Sequence, residues 1–101
     1  MKEGFDSPRD RHFVKYFVYL LISKKTNNYI TYVGYTNNLN KRLNLHNTSK
    51  GAKFTKGRKW KIIYKKEYSN KSICMKEEYK LKKNYKLRKK LKNLYLNKTN
   101  C

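Results

Sequence analysis

Five side chains in this 101-residue chain have types and spacings that could do chemistry: Tyr19, Tyr32, Arg42, His46 and Glu78. Arg42 and His46 stand four residues apart, so on a helix a guanidinium and an imidazole stack along one edge. Tyr19 and Tyr32 sit in two apolar runs joined by a short polar link, so a hairpin brings two phenols to one face. Glu78 is one of only three acids after residue 10, with Glu67 and Glu77. That inventory excludes a two-metal nuclease held by several carboxylates and argues against a paired-carboxylate glycosidase. A Ser or Cys triad lacks an acid beside His46, its one plausible base. The inventory allows one hard divalent cation on one carboxylate, with water and a substrate phosphate completing its shell.

The elements that must position these groups follow from periodicity. Residues 16–23 are apolar on both alternate faces, which predicts a strand buried on both sides. Residues 24–28 (KKTNN) are turn chemistry, and 29–36 read as a second strand. Folding the hairpin about the Lys25–Thr26 midpoint sets Tyr19 opposite Tyr32. Gly34 inside the second strand points to close approach of a ligand or another backbone. Asn37 or Asn38 caps a helix over 39–47, with Leu39 and Leu43 as its buried side. Residues 48–59 read as a basic, solvated loop, and 60–68 as a third strand with Trp60 in the core. Asn70 caps a helix over 71–83 whose stripe runs Cys74, Glu78, Leu81, Tyr85. A carboxylate on an apolar stripe is costly without a partner, which favours Glu78 over Glu77 as the functional acid. A last basic helix spans 86–97, with Leu87, Leu91 and Leu94 on its inner edge. The expected fold class is α+β: a three-stranded antiparallel sheet flanked by three helices. Residues 1–12 read as a disordered leader and 13–98 as a single domain.

The formal net charge is +21 with 38% hydrophobic residues, so a folding sequence carries a charge that calls for a polyanionic partner. Nucleic acid, DNA or RNA, is the first candidate. Of 27 basic residues only five are arginines, which raises the value of each. Lys41, Lys50, Lys53, Lys56 and Arg58 are the expected phosphate contacts. No run is long or apolar enough for a membrane span or a signal core, so no membrane role is expected. Cys74 and Cys101 lack zinc-binding spacing and suit a reducing compartment. That means cytoplasm and nucleoid, or an organelle or nucleus in a eukaryote, and not secretion.

Several ordered motifs resemble the GIY-YIG nuclease family. Val18-Tyr19-Leu20 and Tyr32-Val33-Gly34 stand where the two triplets fall, though the first lacks its glycine here. Thr36-Asn37-Asn38-Leu39, KRLNLHN (41–47), SKGAKFTKGRKW (49–60) and KSICMKEEYKLKK (71–83) match in order. The likeness covers roughly residues 15–90. It is similar to small stand-alone bacterial members and to the catalytic domain of the eukaryotic structure-specific endonuclease subunit. The resemblance implies that Tyr19 is the general base for the attacking water and Tyr32 positions or polarises that water. It implies that Arg42 holds the scissile phosphate, and that His46 assists proton transfer or binds phosphate. Glu78 would hold one Mg²⁺ or Mn²⁺ ion. A free phenol has a pKa of about 10, so a nearby cation is expected to lower that of Tyr19. Some members add a C-terminal asparagine, and Asn84 lies in that region.

The expected function is a metal-dependent DNA endonuclease, selective for branched, flap or single-stranded DNA. The alternatives are an inactive nucleic-acid-binding module of repair or recombination, and an RNA-binding protein. A protein partner or homodimer would supply targeting.

Overall fold

The computed structural model describes residues 14–99; the expected leader at 1–12 and Cys101 lie outside them. The centre is β1 (Tyr16–Lys25), flanked by β2 (Asn28–Thr36) and β3 (Lys61–Tyr68) in the order β2-β1-β3, both pairings antiparallel. Every residue from Val18 to Ser23 is buried, as a doubly covered strand requires. Alternation assigns the two faces. Val18 and Leu20 pack with Val33, Cys74 and Leu81, while Tyr19 and Leu21 pack with Trp60. Helix α1 (Leu39–Asn47) covers the second face through Leu39 and Leu43. Helix α2 (Lys71–Lys83) covers the first through Cys74 and Leu81, and α3 (Tyr85–Thr99) reaches it through Leu91. The sheet and its three helices are the expected α+β arrangement.

The hairpin differs from the expected register. The strands run on to Lys25 and Asn28, leaving a two-residue turn at Thr26–Asn27. Tyr19 therefore faces Gly34, and Tyr32 faces Leu21. A slip of two residues preserves the face, so the phenols still share one. Thr26 sits at φ 50°, a left-handed conformation that a β-branched residue adopts at some strain.

Asparagines start all three helices. The Oδ1 atoms of Asn38, Asn70 and Asn84 accept from the backbone N–H of Lys41, Ile73 and Leu87 at 3.1, 3.1 and 3.0 Å. Such a cap is worth about 1 kcal/mol. Asn84 is thus occupied as a cap. It also breaks the helix, so the expected stripe on α2 ends at Leu81, and Tyr85 is 63% exposed on α3. Leu87 and Leu94 are exposed as well, and of the three expected inner leucines only Leu91 packs on the core. Arg88 explains one of the scarce arginines. Its Nε and Nη2 donate to the carbonyls of Leu81 and Lys82 at 3.1 and 3.0 Å, satisfying the end of α2.

Candidate active site

Tyr19 leaves β1 and lies directly over Gly34 on β2. A Cβ at Gly34 would sit inside van der Waals contact of the Tyr19 hydroxyl and ring. The close approach expected at this glycine is made by a neighbouring side chain, not by a ligand or backbone. The phenol reaches α1, where its hydroxyl lies 3.0 Å from Nε2 of the fully buried His46. The opposite ring nitrogen, Nδ1, lies 2.9 Å from Oγ1 of Thr55. The Thr55 hydroxyl in turn donates to the Ala52 carbonyl at 2.8 Å. A carbonyl can only accept, so Thr55 has no proton left for the imidazole and must accept from Nδ1–H. That assigns the tautomer: His46 presents a bare Nε2, and Tyr19 O–H donates to it.

The loop that carries Thr55 is a built part of this site rather than the solvated connector its composition suggested. Asn47 clamps its two ends, accepting from the Trp60 N–H at 2.6 Å and donating to the Trp60 carbonyl at 3.2 Å. The buried Trp60 indole donates to the Thr55 carbonyl at 3.0 Å. A 3₁₀ turn at Lys53–Thr55 drops Thr55 into the interior with 0% exposure. Gly51 lies against the His46 ring so closely that a Cβ there would overlap Nδ1. Gly51, Phe54 and Thr55 were not singled out from the sequence. Their one signal was membership of the matched stretch 49–60; by type they are a few uncharged residues among lysines, with no period.

Both glycines are therefore placed by the rings above them. Gly34→Ala and Gly51→Ala are each expected to lower stability by about 1–3 kcal/mol, the range for forcing a methyl into a packed site. Thermal unfolding checks this. Wild-type melting of either variant would show that the rings yield freely.

Tyr32 sets its ring edge-on to His46 at 5.2 Å between centroids, and stacks on Phe54 at 6.0 Å and 20°. Arg42, half-buried on α1, acts electrostatically on both Tyr19 and His46. Burial pushes the Tyr19 phenol above its usual value. Arg42 pulls it down through hydrogen bonding and charge, while Tyr32 and Glu78 add to the rise. The expected lowering by a cation is thus present but outweighed by desolvation. Burial, and then the Arg42 charge, hold His46 below its usual value, so the imidazole is neutral at pH 7.

Glu78 comes across from α2 with a side chain only 16% exposed. It is not unpaired, as its stripe position suggested: Lys82 lies 3.5 Å away. The five expected site residues are thus drawn together, two from the hairpin, two from α1 and one from α2. Glu67 pairs with Lys15 at 3.1 Å in an exposed position, as a surface acid would. Glu77 pairs with Lys80 at 3.1 Å. Lys41, Lys50, Lys53 and Lys56 are exposed and Arg58 is half-buried, with Lys53 and Lys56 bracketing Phe54 and Thr55.

Residues 15–93 match the GIY-YIG catalytic domain. A UPF0213 protein of Oceanobacillus iheyensis is 45% identical over 69 residues, covering 67% of this chain and 77% of its own. A UPF0213 protein of Staphylococcus epidermidis is 41% identical over 69 residues, covering 67% and 80%. The UPF0213 protein YazA of Bacillus subtilis is 44% identical over 66 residues, covering 64% of each chain. No solved structure matches significantly. The chain belongs to the GIY-YIG family of nuclease catalytic domains.

Proposed function

We propose that this chain is a DNA endonuclease that hydrolyses phosphodiester bonds with the aid of one divalent metal ion, Mg²⁺ or Mn²⁺. The supporting observation is the Tyr19–His46 hydrogen bond, with Arg42 beside it and a lone carboxylate facing it. Arg42 binds the scissile phosphate and offsets the charge that builds on it. An attacking water gives its proton to the Tyr19 oxygen as Tyr19 passes its own to His46 Nε2. The resulting imidazolium keeps its Nδ1–H on Thr55. Tyr32 closes the water's side of the pocket. His46 is buried with both nitrogens engaged, which suits proton handling and not phosphate binding.

The residues present fit a metal ion of limited demands. Among the described residues there is no cluster of three or more His, Cys, Asp or Glu, so no all-protein cage. One partly buried carboxylate, Glu78, is a hard donor of the kind that holds Mg²⁺ together with water and substrate phosphate. Such an ion, when bound, stabilises the leaving 3′ oxygen. The basic loop (Lys50, Lys53, Lys56, Arg58) and Lys41 would hold flanking phosphates, which read backbone and not sequence. A preference for branched, flap or single-stranded DNA is part of this reading.

The test is cleavage of single-stranded, branched and duplex DNA in Mg²⁺ and in chelator, with binding measured in parallel. Cleavage that requires Mg²⁺ is expected. Intact binding without cleavage of any substrate would leave only a nucleic-acid-binding module.

A further inference from the structure

Phe54 is a large apolar side chain left 56% exposed between two lysines. Trp60, six residues on, is buried by contrast. One face of Phe54 stacks on Tyr32, and Tyr32 in turn meets His46. Phe54 is therefore a single ring away from the imidazole. Beside it lies a hollow of about 270 Å³ lined by Thr31, Tyr32, Val33, Phe54, Lys82 and Arg88. Tyr32 comes from one face of the sheet, while Thr31 and Val33 belong to the other. The hollow thus turns the open edge of β2. Its far wall, Lys82, is the residue ion-paired with Glu78 at 3.5 Å. Aromatic surface on one side and two cations on the other, with the imidazole one ring away behind Tyr32, match the chemistry of one nucleotide: a π-face and its phosphate.

The geometry points to Phe54 as a stacking platform for an unpaired base adjacent to the scissile phosphate, with Lys82 and Arg88 facing the backbone. The base extends the ring pile begun by Tyr32 and Phe54. A base inside a duplex is already stacked and paired, so it reaches Phe54 only after leaving both. The platform therefore selects single-stranded, flapped or frayed DNA over intact duplex. This rests on the nuclease reading for the word scissile, but the stacking itself does not.

The experiment compares wild type, Phe54→Leu and Phe54→Trp in binding to a single-stranded oligonucleotide and to a duplex of equal length, in chelator. Leucine keeps apolar contact with Tyr32 but cannot stack, and tryptophan stacks at least as well. Phe54→Leu is expected to weaken single-strand binding by about tenfold, on the usual scale of base–aromatic stacking. Duplex binding should stay within about twofold, because the +21 charge dominates it. Phe54→Trp should restore single-strand binding. Equal losses on both DNAs, or no loss on either, would overturn the platform. A chain that cuts nothing but shows the contrast sinks the nuclease reading alone. A chain that cuts, with Phe54→Leu indistinguishable from wild type in both binding and strand preference, sinks the platform alone.

Discussion

Glu78→Gln is expected to reduce Mg²⁺-supported cleavage to background while leaving DNA binding at or slightly above the wild-type level. Glutamine preserves volume and one oxygen, so the loss isolates the charge. A catalytic metal ion contributes several kcal/mol of charge stabilisation, so the rate should fall by roughly three orders of magnitude or more. The described acids number three, and each has a lysine partner: Glu67 with Lys15 and Glu77 with Lys80 at 3.1 Å, Glu78 with Lys82 at 3.5 Å. Only Glu78 is near enough to act on Tyr19. Removing one carboxylate from a chain of charge +21 cannot weaken its hold on a polyanion. Folding should change little, since the Glu78–Lys82 pair stabilises by at most about 1 kcal/mol. Glu77→Gln is the control and should cut normally. The reverse pattern, with Glu77→Gln dead and Glu78→Gln active, would show that the stripe chose the wrong acid.

What could be read in advance followed how each contact is encoded. Strand β1 was legible because burial on both faces leaves no polar alternation to misread. Helices α1 and α2 were legible to the residue, because asparagine caps and leucine spacing are local signals. The register was not, because it depends on the turn: two residues at Thr26–Asn27 in place of a longer link. That slip moved Gly34 under Tyr19 and gave the glycine its meaning. The Arg42–His46 pair was visible as a spacing, but its base-like state was not. The proton position on His46 is set by Thr55, nine residues away in a loop with no period. The exposed leucines of α3 failed for a similar reason. Spacing gives the leucine stripe of that helix but not which part of it meets a neighbour, and there only Leu91 packs on the core.

Thr55→Val is expected to slow cleavage although it removes no atom that touches substrate, and Thr55→Ser to retain it. Valine keeps the shape but leaves Nδ1–H of His46 buried without an acceptor, which costs about 1–3 kcal/mol. The imidazole escapes by moving its proton to Nε2, where it then points at Tyr19. A phenol facing an N–H has no acceptor for its proton, so the relay is broken from the far end. Tyr19→Phe breaks it from the near end and should reduce the rate by about 10²- to 10⁴-fold, the usual contribution of a positioned acid–base group. The pH profile separates relay from packing. Burial and Arg42 hold His46 below its usual 6.5, so the neutral, accepting form persists as pH falls through that value. Wild-type activity should therefore fall on the acid side with its midpoint below pH 6.5, as His46 protonates and can no longer accept. Stability should move in the same direction. Below about 6.5 the unfolded chain takes up a proton that folded His46 resists, so the folded state loses ground as pH drops. In Thr55→Val the activity should be low even on the plateau, with Tyr19→Phe adding little to it. A packing role alone would lower the melting temperature and leave the plateau rate intact. Full additivity of the two substitutions would show that Thr55 and Tyr19 do not act through one imidazole.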